Sequence, residues 1–418
     1  MRILFLSNFY PPYSVGGMEL TCQSVVDGLS RRGHTTYVLT SRHGLPDPVV
    51  DDKIARVLSL EMSLASYRNA VDFFLIRDRR TQQNRELLRT TIQKFRPDVL
   101  FVWGMWNLQH ILLQDGEQIM GGRVLYRFGD YWPSLPTQYQ LYWERPGKHP
   151  TTRLIRQLVK PLVNIFLKND ITANIKYNYC YCNSNATKAH LIELGIPVQD
   201  SPVIYNGLEL SQFDQSCKTP NSDVDRAHRV IFLGRLVHEK GPHIAVEAIN
   251  RIVSSTPNTP LRLDVVGHGD QEYISNIREM ISSEGLSNYV RLLGPVPNHA
   301  IAEVLSRYQF ALVPSIWQDP FPRVAVEAMA AGCVVIGSET GGISEIIEHG
   351  RNGFLHPVGE PQQLANILVS VDSDPILAKI VARQGQSDVL NRFELNRMLS
   401  QVEELIFSVG AGIPAHQV

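Results

Sequence analysis

At 418 residues and 47.1 kDa the chain exceeds what one hydrophobic core ordinarily spans, which predicts two domains. Hydrophobic residues at 44% and charged ones at 19% exclude a disordered polymer. A mean hydropathy of −0.11, with no apolar run near the roughly 20 residues of a membrane span, excludes an integral helical membrane protein. The net charge of −1 hides an asymmetry: residues 1–200 hold 24 Lys+Arg against 17 Asp+Glu, and the remainder 16 against 24. A basic first half suits an anionic acceptor or a membrane surface, and equally suits solvated helix faces. The odd cysteine set Cys22, Cys180, Cys182, Cys217 and Cys333 has no CxxC pair. Buried thiols are expected, rather than a disulfide framework or a zinc site.

The first strand is RILFLSNF. It is too short for a signal peptide and has no small-residue cleavage site, which predicts a cytoplasmic protein. After the loop PPYSVGGME comes a helix near 18–32 with Leu20, Val25, Val26 and Leu29 on one face, closed by RRGH. TTYVLTS is the next strand, and a long polar helix is expected over 72–94. PDVLFVWG, RVLYRFGD, NYCYCNS and SPVIYNG complete the first set of strands. The second half repeats the plan with RVIFLGR, LRLDVVGHG, VRLLG, FALVPS, CVVIGS and GFLHPV. Residues 214–228 are polar and aperiodic, a flexible loop, and the hinge is placed near Pro202–Gly207. One amphipathic helix is expected over 388–409. Strands alternating with helices, twice over, predict two doubly wound parallel sheets whose strand ends face a ligand cleft.

Four segments at strand ends have the residue types of a phosphate or sugar site. Gly16 and Gly17 lie between a strand and a helix, where glycine permits close backbone approach; a plain tight turn is the alternative. Gly234-Arg235 ends a strand and Lys240-Gly241 opens a helix, so that one guanidinium fork and one point charge suit a diphosphate; a solvated loop pair is the alternative. After FALVPS a helix is expected to start around Pro320–Pro322. The free N–H groups of Arg323 and Val324 would make an anion site there, with Asp319 ahead of the helix and Glu327 within it. Asp319 also suits an N-cap; Glu327, within VAVEAMAA, reads as buried. Gly341-Gly342 again follows a strand, with Glu345 in the first turn of the next helix, where capping alone also accounts for it.

No Walker loop is present, VVGHGD holds only part of a dinucleotide fingerprint, and no HExxH or clustered His/Cys set appears. Asp223-Val-Asp225 falls in the polar loop and is discounted as a metal site.

The chain resembles retaining nucleotide-sugar glycosyltransferases of family four, which have the GT-B fold. The resemblance runs nearly end to end through GGMEL, RPDVLFVWG, GDYW, IYNGLE, LGRLVHEKG, VVGHGD, DPF…VEAMAAG, GGISEII and NGFL. It implies an α/β chain of two Rossmann-like domains facing across a cleft: an acceptor-side domain over 1–205 and a donor-binding domain over 206–389. A helix over about 390–418 would cross back to the first. The implied reaction moves a sugar from a UDP- or GDP-linked donor to a hydroxyl of a glycan, a lipid-linked or a small-molecule acceptor. It proceeds with retention and without metal or cofactor.

By position, Arg235 and Lys240 match the pair that binds the donor diphosphate, where fixed cations stabilise leaving-group charge. Glu327 matches the carboxylate that holds the ribose, and Asp319 the one that contacts the transferred sugar. Phe321, Pro322, Arg323, Val324, Gly342 and Glu345 fall in donor-lining motifs, and Gly16 and Gly17 in the loop near the reaction centre.

Three positions depart from the family pattern. Asp319 is one methylene shorter than the usual Glu. Pro322 removes an N–H that a common Gly would supply. Gly129 stands where relatives have His, which leaves Asp130 as the expected positioning group and, with Arg235 and Lys240, a candidate catalytic residue.

Trp103, Trp106, Tyr131 and Trp132 lie at or just after strand ends in the first half, suited to stacking on an acceptor sugar or to core packing. TTRLIRQLVKPLVNIFLKN interleaves Arg153, Arg156, Lys160 and Lys168 with apolar residues, which fits peripheral membrane contact or a half-buried helix. Nucleic-acid binding is not expected, since no basic–aromatic motif appears. Two rival readings are a nucleotide-sugar epimerase or hydrolase, and a non-catalytic sugar-nucleotide-binding partner protein.

Overall fold

A computed structural model describes residues 1–13, 16–63, 69–144, 156, 158–164, 167, 174–216 and 226–413. The chain divides into two compact units, the first made of residues 1–183, 187–204 and 399–418, the second of 184–186 and 205–398.

The first unit is built on a seven-stranded sheet in the order β3-β4-β2-β1-β5-β6-β7. Its strands are β1 Arg2–Ser7, β2 Thr35–Ser41, β3 Val49–Val50, β4 Ile54–Leu58, β5 Val99–Gly104, β6 Val124–Phe128 and β7 Tyr179–Cys182. All pairs are parallel except β3 with β4. The apolar runs of β1 and β5 are buried along almost their whole length, as parallel strands covered on both faces must be.

Sequence patterning missed β3 and β4, because β3 is two exposed residues and Arg56 interrupts the apolar run of β4. SPVIYNG forms no strand; Val203 makes a single bridge to Cys182. The helix expected over 72–94 is two, Asn69–Leu75 and Arg77–Phe95. They part at Ile76 because Phe73 packs with Met62, Tyr139 and Val163, whereas the second helix buries Leu88 and Ile92. Cys180 and Cys182 on β7 are buried thiols, pushed up to about 12 and about 11 by desolvation.

The helix expected over 388–409 is also two, Pro375–Arg392 and Leu395–Ala411. The break is fixed by Leu208, which donates its N–H to the Phe393 carbonyl and accepts from the Leu395 N–H, at 2.8 and 3.0 Å. From Leu399 onward the last helix belongs to the first unit. There it buries Val402, Ile406 and Val409 completely, and Glu403 accepts from Arg32 and His34 at 2.9 and 2.7 Å.

The second unit has a six-stranded, all-parallel sheet in the order β10-β9-β8-β11-β12-β13. Its strands are β8 Arg229–Leu233, β9 Arg262–Val266, β10 Val290–Leu293, β11 Phe310–Val313, β12 Val334–Ser338 and β13 Phe354–His356, one for each apolar run expected there. The aperiodic loop over 214–228 lies largely outside the described residues, including Cys217, Asp223 and Asp225; its start is the end of a short helix, Ser211–Ser216.

Candidate functional site

In open α/β sheets ligands seat at the carboxyl ends of strands where the chain order reverses. In the second unit that reversal falls between β8 and β11, so the loops carrying Arg235, Lys240 and Asp319 become neighbours. The Ile316 N–H donates to the Glu239 carbonyl at 3.0 Å, tying the two loops together. Lys240 donates from Nζ to the Asp319 carboxylate and lies 6.0 Å from the Trp317 ring centroid. Asp319 is only 7% exposed, a carboxylate held beside its cation. Arg235 is exposed and makes no hydrogen bond or ion pair among the described residues.

The helix after β11 runs Arg323–Ala330, with Pro322 at the N-cap and no side-chain cap. Asp319 is therefore not the capping residue. The uncapped N–H groups of Arg323 and Val324 point out of the first turn, the arrangement that accepts an anion. Glu327 is 6% exposed, and Arg323 donates to it from Nε at 2.6 Å. Phe321 is a core residue, its ring 5.8 Å from Tyr205 and 5.6 Å from Phe393.

Gly342 lies on the 319–320 backbone: its N–H donates to the Asp319 carbonyl at 2.8 Å, and a Cβ there would stand 2.0 Å from the Pro320 oxygen. No side chain fits at that position. Glu345 is fully engaged. It accepts the N–H groups of Asn185 and Ala186 at 2.9 and 2.7 Å, the Asn185 amide at 2.8 Å and the Tyr205 hydroxyl at 3.0 Å. It holds the segment 184–186 against its own unit instead of presenting a free carboxylate. The Ser315 and Ser338 hydroxyls, just past β11 and at the end of β12, are buried with no hydrogen-bond partner among the described residues.

In the first unit the order reverses between β1 and β5. The loop after β1 is braced at its start by Arg56, which donates to the Tyr10 carbonyl at 2.8 Å and to the Pro11 carbonyl. At its end the Gly16 N–H donates to Glu19 Oε2 at 2.9 Å, and Gly17 begins the helix Gly17–Arg31. Glu19 is 4% exposed, and burial raises its carboxyl above the ordinary range. Asp130 accepts the Trp132 N–H at 3.2 Å; burial raises its carboxyl too, against the pull of that N–H and of Arg127.

Trp103 and Trp132 are core residues, 0% and 1% exposed, and Trp103 donates from Nε1 to the Met18 carbonyl at 3.1 Å. Neither presents a ring face to a sugar. Trp106 is half-buried against Phe9 at 5.9 Å, and Tyr131 lies edge-on to His190 at 4.5 Å. Sequence reading missed Arg127, Glu19 and Arg56. A charged residue inside an apolar strand run, as in VLYRF and IARVL, was the available signal.

Of the basic segment over 151–169, Arg153 and Lys168 lie outside the described residues. Arg156 stacks on Tyr142 at 4.5 Å, and Leu158, Lys160 and Leu162 are exposed. No helix among the described residues is long and apolar enough to cross a membrane.

Two α/β units are thus built on largely parallel sheets, the second with a cation–carboxylate pair at its switch point. The family model described as "Glycosyltransferase Family 4" matches residues 15–212 and that described as "Glycosyl transferases group 1" matches residues 219–388. A glycogen synthase from Mycobacterium tuberculosis is 23% identical over 99% of this chain and 96% of its own length. The amylovoran biosynthesis glycosyltransferase AmsK of Erwinia amylovora is 29% identical over 51% of this chain, and the match spans only 53% of that protein. Among solved structures, Anabaena HepE in complex with UDP and glucose superposes with a TM-score of 0.68 at 23% identity, covering 98% of this chain and all of that one. The sucrose-phosphate synthase of Thermosynechococcus elongatus superposes with a TM-score of 0.72 at 19% identity, covering 98% and 99%. The chain belongs to the family-four glycosyltransferases.

Proposed function

We propose that this glycosyltransferase moves a sugar from a nucleoside diphosphate-sugar to an acceptor hydroxyl with retention at the anomeric carbon. The observation that carries the reading is the Lys240–Asp319 pair at the switch point of the second unit, with Arg235 exposed on the Lys240 loop and without a hydrogen bond or ion pair among the described residues. The Lys240 ammonium and the Arg235 guanidinium are matched to a diphosphate, and the uncapped N–H groups of Arg323 and Val324 add two oriented donors. Asp319, one bond from the cation, is placed to accept from the sugar hydroxyls, and Glu327, held by Arg323, to accept from the ribose.

In this reaction the acceptor oxygen forms its bond to the anomeric carbon on the face that the leaving phosphate vacates. The bond from that carbon to the phosphate oxygen breaks, and the acceptor proton passes to an oxygen of the departing diphosphate. The protein aligns the partners and stabilises the charge that builds on the diphosphate. Arg235 and Lys240 supply that stabilisation, and no step is assigned to a metal or a cofactor. HepE is seen with UDP and with UDP-glucose, which favours a uridine donor for the first trial. The acceptor is a hydroxyl of a glycan or of a lipid-linked or small molecule.

The test is a donor panel. The chain is incubated with UDP-, GDP- and ADP-sugars and candidate acceptors, and the anomeric configuration of the product is read by proton NMR. Product with the donor's configuration is the expected result. An inverted product removes retention, and release of free sugar without transfer replaces the reading with hydrolysis.

A further inference from the structure

A charged side chain sits inside the first unit's sheet, where the strand pattern predicts an apolar one. Arg127 lies on β6 between Tyr126 and Phe128 and is 1% exposed. Its Cζ stands 4.4 Å from the centroid of the Trp103 ring. Trp103 in turn is fastened by its indole N–H to Met18, in the first turn of the helix that begins at Gly17.

Gly129 is what gives the guanidinium its room. A Cβ on Gly129 would stand 2.0 Å from Nη1, 2.3 Å from Cζ and 2.4 Å from Nη2 of Arg127. Any other residue at 129 and the guanidinium in its present seat exclude each other.

The titratable groups facing Arg127 come from three elements: Glu19 and Cys22 from the helix Gly17–Arg31, Asp130 from the turn after its own strand, and Tyr181 from β7, with which it is in register. A buried cation is costly unless matched. Two of its neighbours carry the opposite charge, and each holds a backbone N–H: Glu19 that of Gly16 in the loop after β1, Asp130 that of Trp132 in the turn after β6.

We propose that Arg127, seated by Gly129, is the positioning residue of the first unit, acting through Glu19 on the Gly16–Gly17 loop and through Asp130 on the turn after β6. Its charge keeps the buried Glu19 and the half-buried Asp130 in place as acceptors. Without it they are like charges in a poorly solvated pocket, one of them takes up a proton, and the backbone it holds drifts. The inference rests on the transfer reaction proposed above.

Steady-state kinetics and melting curves of the full chain test it with Gly129→Ala, Arg127→Met, Arg127→Lys and the double variant Gly129→Ala/Arg127→Met. Gly129→Ala unseats the guanidinium without deleting it. It is expected to lower kcat about 10- to 100-fold through misalignment, while donor KM stays within about threefold. The acid limb of the kcat–pH profile is expected to move to higher pH. Arg127→Met gives the same loss, Arg127→Lys recovers part of it, and the double variant loses no more than either single one. Should Arg127→Met fail to fold, Gly129→Ala and its pH profile decide alone. Additive losses, or a folded Gly129→Ala with unaltered kcat and pH profile, overturn the positioning role. No turnover of any nucleotide-sugar by the unaltered chain overturns instead the reading on which the role depends.

Discussion

The Lys240 ammonium donates to the carboxylate of Asp319, 79 residues further along the chain, and so joins the loops that follow two adjacent strands of the second sheet. The pair sets a cation and a carboxylate side by side, which under the proposed function would face the diphosphate and a sugar hydroxyl. In Lys240→Ala, turnover is expected to fall about 10²- to 10³-fold, the scale of losing one fixed charge-stabilising group. The variant also leaves Asp319 buried without its cation, so its melting temperature falls, and adding Asp319→Asn restores most of it. Arg235→Ala, at an exposed residue with no hydrogen bond or ion pair among the described residues, is expected to lose turnover while the melting temperature holds. Initial rates and thermal melts on the three variants separate these outcomes; near-normal turnover in both Lys240→Ala and Arg235→Ala would take the diphosphate away from this loop.

Glu327 is held in a buried position by Arg323, one helical turn before it. Glu327→Ala is expected to weaken binding of the nucleoside diphosphate about tenfold, equal to about 1.4 kcal/mol. Arg323→Gln should weaken it less, because the carboxylate remains. Titration calorimetry reads both, and equal affinity in Glu327→Ala and the unaltered chain removes the ribose role.

Asp130 has its carboxyl raised by burial. A group whose folded pKa lies above its unfolded value contributes stability below the unfolded pKa and loses it as pH rises through the folded one. Asp130→Asn is therefore expected to flatten stability against pH across that window. Its kcat should fall further than its donor affinity. Melting curves from acid to neutral pH, together with kcat and KM, check both halves.

Asp388 shows the opposite sign. Burial raises it, but hydrogen bonds from Asn352, Gln384 and Arg351 outweigh that and hold its carboxyl below the usual range. Its stabilisation is present above the ordinary carboxylate pKa and lost as pH falls through the depressed value. Asp388→Asn is expected to cost about 1–3 kcal/mol at neutral pH, the cost of leaving buried donors unmet. The deficit shrinks toward acid pH in denaturant titrations. A pH-independent deficit would show that packing, not charge, is lost.

The alternation of apolar strand runs with helices was legible because the central runs of the second half are buried on both faces, as VIF in β8 and VVIGS in β12 are, while the edge strand β10 keeps a shorter apolar run that is only partly covered. Glu327 as a buried carboxylate could be read from its small apolar neighbours. Other features depend on contacts between distant segments. Leu208 divides the last two helices from a position 185 residues before Phe393, as the difference of their numbers shows. The engagement of Glu345 by Asn185, Ala186 and Tyr205 has no local signature either, and nothing near residue 129 in the sequence says that its missing side chain is occupied by Arg127. Trp103 and Trp132 suited either stacking on a sugar or core packing; burial against Arg127 and Phe128 decides for the core.

The last helix completes a unit that the first residues began. Leu399 fills the notch over Gly28, so tightly that a Cβ on Gly28 would lie 2.5 Å from a Leu399 methyl carbon, and Val402, Ile406 and Val409 lose all contact with solvent. During synthesis the amino-terminal sheet must therefore wait, with an apolar groove beside Gly28 and Leu29 open, while nearly 200 residues of the second unit emerge and fold. The second unit can close as soon as its own residues are out; the first closes last, and until then it is the natural client for a chaperone.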